Sequence, residues 1–271
     1  MDMKRLSSAL LGLPMVIIVL LFGNKYVIDI ALSVVAFISL HEYFQAFKEK
    51  HNPIKWLGYL AALSICFIHF IPSEKLFMYI GLSIPFLIVI LFIELVLKDL
   101  KINIVDIAIT LFGILYIVYF TMFIPLLAGV QYGKLLVWYA IIIAWGTDIF
   151  AYLIGKTFKL GKHKFSKISP NKSIEGCIAG VLGAIILSVI YTFCINKFLN
   201  VYIMSYFKII IMAFLLSIIS QFGDFAASSI KRYVGIKDFS NLIPGHGGLL
   251  DRIDSLIFLA PFAYILLTMI L

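Results

Sequence analysis

The sequence predicts an all-α fold: a polytopic helical membrane protein with about nine transmembrane helices. Three observations carry this reading. Hydrophobic residues make up 63% of the 271 and charged residues 13%, whereas a soluble domain holds about 45–50% and 25%. The apolar residues form long blocks without a polar face, near the ~20 residues a helix needs to cross a bilayer. All 22 Lys and Arg residues fall between those blocks or before the first. The same composition excludes a disordered chain, a disulfide scaffold and a secreted soluble enzyme.

Taken in order, Ser7–Phe22 opens behind Lys4 and Arg5 as a signal peptide would. No small-residue cleavage site closes it, so it reads as a retained first span. Val27–Leu40 is short, and Leu57–Ile71, Leu76–Leu97, Ile104–Ile124 and Leu135–Ile154 follow as unbroken apolar runs. Gly176–Ile195 carries Gly176, Ala179, Gly180, Gly183 and Ala184, a GxxxG-type face that serves close helix packing within or between subunits. Ile209–Phe222 is again short, and Leu256–Leu271 is the ninth. Cys66, Cys177 and Cys194 form no CxxC pair, so neither a zinc site nor a disulfide framework follows.

Orientation follows from charge. With the N-terminal tail in the cytoplasm, 17 basic residues fall inside and 5 outside, as the positive-inside bias expects. Two polar loops, Gly155–Ser173 and Lys231–Ser255, lie on that cytoplasmic side. The net charge of +8 mostly reports this topology, with contact to anionic lipid or phosphorylated substrates as a second reading.

An ionised side chain at membrane depth is costly unless it faces protein or water, which makes each one a functional candidate. Asp148 sits near the cytoplasmic end of the sixth span, and Asp224 follows Gln221 and Gly223 at the corresponding end of the eighth. The bland alternative, that each acid only caps or pairs at a helix end, stays open. Glu42 and Glu94 read as interfacial residues. If the eighth span continues as a helix, Asp224, Ser228 and Lys231/Arg232 share one face and place a carboxylate, a hydroxyl and a cation together. A carboxylate can hold a hard metal ion, and the cations can hold phosphate oxygens.

A second constellation runs from Pro244 to Ser255. Gly245, Gly247 and Gly248 allow a backbone to approach an anion, and Asp251 and Asp254 follow at i, i+3. A helix starting there would add free N–H groups for phosphate. In the first loop, Lys172 stands apart from the other lysines because it sits beside Ser169, Pro170 and Asn171 where the chain re-enters the membrane.

These residues resemble the signature of the phosphatidate cytidylyltransferases, also called CDP-diacylglycerol synthases. Ser228-Ser229-Ile230-Lys231-Arg232, Lys237-Asp238 and Pro244 through Asp254 fill every fixed position of Ser-x-apolar-Lys-Arg, Lys-Asp and Pro-x-His-Gly-Gly-apolar-x-Asp-Arg-apolar-Asp. Gln221-Phe222-Gly223-Asp224 and Asp148 through Gly155 fit upstream motifs, and Ser169 through Gly176 resembles Ser-Pro-Lys-Lys-Thr-x-Glu-Gly. Asn171 replaces a usual Lys there, and Ser173 a usual Thr. The resemblance covers about residues 145–255. Residues 1–140 therefore read as a scaffold of transmembrane helices and 141–271 as the part carrying the catalytic motifs.

The resemblance implies CMP transfer from CTP to phosphatidate, giving CDP-diacylglycerol and pyrophosphate for phospholipid synthesis. It implies Mg²⁺ as cofactor, with a second metal ion left open, and assigns metal binding to Asp224 and Asp251. Catalytic roles fall to Asp224, Asp251, Asp254, Lys231 and Arg232. Substrate contacts fall to Ser228, Lys237, His246, Gly247, Gly248 and Arg252, and, upstream, to Asp148, Ser169, Asn171 and Lys172. It further implies a homodimer in the lipid bilayer (the inner or plasma membrane if the cell is bacterial), with the site open to the cytoplasm and no nucleic-acid partner. Two alternatives remain: a CTP-dependent transferase acting on an isoprenoid or polyprenyl lipid, and a transporter. The transporter would use Asp148 and Asp224 but gives no reason for His246-Gly247-Gly248 or the Asp251/Asp254 pair.

Overall fold

The computed structural model describes residues 14–99, 101–157, 169, 172–245 and 247–269. Among them every regular element is a helix and no strand occurs. The chain forms two compact units, Met1–Gly129 with Ile236–Arg252, and Val130–Gly235 with Ile253–Leu271.

The first unit holds α1 (residues 14–22), α2 (Lys25–Phe47), α3 (Lys55–Ser64) with a 3₁₀ turn over Ile65–Phe70, and α4 (Ser73–Leu97). It continues with α5 (Ile104–Gly113), a π-helical stretch over Ile114–Tyr119, and α6 (Phe123–Gly129). Its centre is α2, which packs against α3, the 3₁₀ turn, α5 and α6. Capping starts the helices where polar residues interrupt apolar sequence: Asn24 accepts from Val27 N at 3.0 Å, and Asn103 and Asp106 form a reciprocal capping box. Asp106 and Thr110 also accept the backbone N–H groups of Asn52 and Ile54, each at 2.8 Å, and so tie the α2–α3 connection to α5. By contrast α4 has only 11% of its apolar window buried, and its outward Phe77, Phe86 and Val89 suit contact with lipid tails.

The second unit holds α7 (Gly133–Thr157), α8 (Ile174–Cys194) with a π-helical stretch over Ile195–Leu199, and α9 (Tyr206–Val234). These three pack pairwise. α10 (Leu250–Thr268) begins in the first unit and runs into the second.

Among the described residues, six helices are long and apolar enough to cross a membrane: Lys25–Phe47, Glu74–Leu97, Ile104–Gly129, Gly133–Gly155, Ile174–Leu199 and Tyr206–Val234. The third expected span is a shorter apolar helix, Lys55–Phe70. The ninth starts at Leu250, ahead of the expected Leu256, and residues 7–13 of the first lie outside the described residues. The two spans expected to be short are not: α2 has 23 residues and α9 has 29. Both helices run on through acids, Glu42 and Asp224, which protein partners receive.

The small-residue face of α8 is buried. A Cβ on Gly180 would lie 2.7 Å from the Thr147 carbonyl oxygen, and one on Gly176 3.2 Å from that of Ala151. The face expected to serve packing within or between subunits is thus filled by α7 of the same chain. Gly180→Ala is expected to lower stability by about 1–3 kcal/mol, because its methyl meets a backbone carbonyl that cannot move aside. At Gly81 on α4 nothing lies within 4 Å, so Gly81→Ala is expected to be neutral or to stabilise by about 0.4–1 kcal/mol. Unfolding of the two variants in detergent compares them, and equal shifts would contradict the close α7–α8 approach.

Candidate functional site

The acids of the second unit come together where α7, α8, α9 and α10 carry their polar residues. Ser173 caps α8, accepting from Gly176 N at 3.1 Å, and so fixes Lys172 at the helix entrance. The Lys172 ammonium donates to Asp224 on α9 and lies 4.8 Å from the centre of the Phe225 ring. Both partners keep 25% of their side chains exposed. Burial alone would push Lys172 down, but the charge and hydrogen bond of Asp224, helped by Asp148, hold it above its ordinary value of 10.5. That pairing therefore contributes stability fully present below pH 10.5 and lost as pH rises through the raised value. One turn before Asp224, Gln221 donates to the Cys177 carbonyl at 3.2 Å and locks α9 to α8.

Asp254 on α10 is 4% exposed and accepts from Ser255 N at 2.8 Å. It lies within electrostatic reach of Asp224, Asp148 and Lys231. Ser255 Oγ stands 3.5 Å from Asp148. A Cβ on Gly223 would sit 2.5 Å from Phe258 Cβ, so α9 and α10 approach closely beside the two acids. Three carboxylates, Asp148, Asp224 and Asp254, thus face two cations, Lys172 and Lys231, among the described residues. Hard oxygen donors with a net negative charge suit a divalent cation such as Mg²⁺. No three His, Cys, Asp or Glu side chains among the described residues form a closed metal cage, and the Lys172 ammonium holds Asp224.

The glycine-rich loop belongs to the first unit. Ile243 and Gly247 exchange two backbone hydrogen bonds, of 2.8 and 3.1 Å, across a turn in which Gly245 and Gly247 take left-handed φ of 77° and 86°. Asp251 Oδ2 accepts from Phe239 N at 2.8 Å and Gly248 N at 3.0 Å. Glu42 on α2 accepts from Ser240 Oγ at 2.6 Å, Leu249 N at 2.9 Å and Leu250 N at 2.8 Å. The N–H groups expected to turn toward phosphate at the start of α10 are therefore directed at the protein's own carboxylates.

Glu42 is also a correction. Expected at the interface, it is 3% exposed and fully engaged. Its signal was present, since it is an acid flanked by apolar helix, but its partners lie 198 to 208 positions away. Glu94 is half-buried and accepts from Trp56 Nε1 at 2.9 Å. Ser228 follows Asp224 by one turn and is half-buried, as are Lys231 and Ser169, while Arg232, Lys237 and Arg252 are exposed. Asn171 and His246 lie outside the described residues.

Helices fit to cross a bilayer, with acids and lysines gathered among them, define an integral membrane protein that carries a polar, charged site. Residues 3–270 match the Cytidylyltransferase family, and the chain belongs to it. It is similar to the phosphatidate cytidylyltransferase of Bacillus subtilis strain 168, 39% identical over 140 residues, which is 51% of this chain and 49% of that protein. The enzyme of the same name from Staphylococcus haemolyticus is 41% identical over 130 residues, covering 48% and 47%. That from Thermotoga maritima is 43% identical over 122 residues, covering 45% and 44%. The chain spans about half the length of the curated relatives it matches.

The Lys172–Asp224 pair makes a direct prediction. Lys172→Met and Asp224→Asn should each destabilise the folded protein, because each takes the direct hydrogen-bonded counter-charge from a half-buried group. The double variant should be milder than their sum, with a coupling of about 1–2 kcal/mol. Chemical unfolding in detergent measures the cycle, and strict additivity would show that the two groups do not act as a pair.

Proposed function

We propose that this chain transfers CMP from CTP to phosphatidate, producing CDP-diacylglycerol and pyrophosphate. The observation that carries the reading is the excess of carboxylates around Asp224, held with Lys172 and Lys231, in a chain of the cytidylyltransferase family. Relatives that bear the name phosphatidate cytidylyltransferase support the choice of lipid.

In this reaction a phosphate oxygen of the lipid attacks the α-phosphorus of CTP, and the bond to the β-phosphate oxygen breaks. The nucleophile is already ionised at neutral pH, so no strong general base is needed. The task is to bring anions together and neutralise them. Asp224, with Asp148 and Asp254 beside it, would hold Mg²⁺, which when bound screens phosphate charge as a Lewis acid. Lys172 and Lys231 neutralise phosphate oxygens from fixed positions, and Arg232 extends that field at the end of α9. In the first unit, Lys237 and Arg252 offer further cations, and His246 serves as a phosphate donor or loop organiser. A metal role for Asp251 is part of the proposal, beside its closure of the loop onto Phe239 and Gly248.

CTP is cytosolic, so the site is proposed to open to the cytoplasm, in the inner or plasma membrane of a bacterium. A homodimer is also proposed. With the small-residue face of α8 filled by α7, it would have to use another surface.

Purified protein given labelled CTP and phosphatidate should form labelled CDP-diacylglycerol, and a polyprenyl phosphate or alcohol should not replace the lipid. Labelling of the isoprenoid alone would overturn the assignment. Asp224→Asn should lower kcat by on the order of 10³-fold while leaving membrane insertion intact. Near-normal turnover at saturating Mg²⁺ would remove Asp224 from the site. For orientation, in a background without native cysteines, Lys162→Cys should react with impermeant reagents only from the cytoplasmic side and Asn200→Cys only from outside. The reverse pattern would refute CTP access as proposed.

A further inference from the structure

We infer that Glu42, on the scaffold helix α2, is a positioning residue that holds the glycine-rich loop and the first turn of α10 in one working geometry; this rests on the function proposed above. Three donors converge on its carboxylate. Oε1 takes the Ser240 hydroxyl and the Leu249 N–H, and Oε2 takes the Leu250 N–H. Ser240 Oγ in turn accepts from Leu242 N at 3.1 Å. Leu249 immediately precedes α10 and Leu250 opens it, so two N–H groups that a helix N-terminus leaves unpaired are satisfied by an anion from another helix.

Asp251 is the residue after Leu250, and its own carboxylate closes the loop from the other side by accepting from Phe239 N and Gly248 N. The segment from Phe239 to Asp251 is therefore pinned at both ends, one pin belonging to the site and one to the scaffold. Removing the scaffold pin would leave Asp251 attached to a loop with no fixed seat. Misplacing a reacting group by about 1 Å costs up to about 100-fold in rate.

Gly248 fits the same account. A Cβ there would lie 2.7 Å from Glu42 Oε2 and 2.9 Å from Oε1. Its φ is not in the left-handed region, so the backbone itself would accept alanine. The side chain is excluded by the carboxylate, which needs the space to reach Leu249 and Leu250. The glycine thus makes room for Glu42.

Charge and shape also separate glutamate from glutamine here. All three partners are donors, so the site asks for an acceptor on both oxygens. Whichever way a glutamine amide turns, its NH₂ faces an N–H or O–H donor.

The test uses the full chain in detergent or lipid nanodiscs, with hydrogen exchange of peptides spanning residues 238–252 read beside kcat and the KM for CTP. Glu42→Gln is expected to speed exchange at Leu249 and Leu250 by at least about 10-fold and to lower kcat by about 100-fold. The KM for CTP and the melting temperature should move little, a split that a merely structural loss would not give. Gly248→Ala should reproduce these effects by displacing Glu42. The Glu42→Ala/Gly248→Ala double variant should be no worse than Glu42→Ala, because the second change then has nothing to displace. Unchanged exchange in Glu42→Gln, or losses that multiply in the double variant, would overturn the inference. Absence of turnover in the wild-type chain would count against the proposed function instead, and the exchange measurement would still decide whether Glu42 holds the loop.

Discussion

A carboxylate carried on a helix at membrane depth must find its hydrogen bonds inside the protein, since lipid offers none. Much of this structure follows from that demand. Asp29 on α2 is fully buried and receives His69 Nδ1 at 2.8 Å on both oxygens. Glu42, three to four turns further along the same helix, receives a hydroxyl and two backbone N–H groups. In the second unit Asp224 receives Lys172, and Asp254 the Ser255 N–H. Each acid recruits a different kind of partner, and each partner is fixed in place as a consequence.

These pairings do different work. Asp29 and His69 join α2 to the 3₁₀ turn after α3, far along the chain from the motifs of the second half. Glu42 organises backbone, and by doing so commits the N–H groups of α10 to the fold. On the proposed function, phosphate neutralisation would then fall to side-chain cations such as Lys172 and Lys231. In the second unit Asp148, Asp224 and Asp254 gather beside Lys172 and Lys231. A net negative cluster beside bound lysines is a poor stability device, because like charges repel at low dielectric. On the proposed function, that charge would be offset by a divalent cation and then an anionic substrate.

Much of this was legible in the sequence. Blocks of apolar residues announced the helices, and Asp148 and Asp224 stood out as acids where lipid should have excluded them. The small residues of α8 announced close packing, although only the structure shows that α7 is the partner. What could not be read was any feature set by distant pairing. Hydropathy ends α2 and α9 short of Glu42 and Asp224 because it cannot see a loop or a lysine that arrives from elsewhere in the chain. Glu42 reads as an interfacial residue in the sequence for the same reason. The loop from Pro244 to Asp254 was recognised as polar and turn-rich, but the sequence could not reveal that its N–H groups are consumed by carboxylates.

The central claim is that the acids around Asp224 form a site for a hard divalent cation. Mn²⁺, a spectroscopic substitute for Mg²⁺, tests it without relying on turnover. Electron paramagnetic resonance of the detergent-solubilised protein titrated with Mn²⁺ should show a bound population that Asp224→Asn abolishes. The exposed Asp99→Asn should leave that population intact. Equal Mn²⁺ binding by wild type and Asp224→Asn would contradict the account.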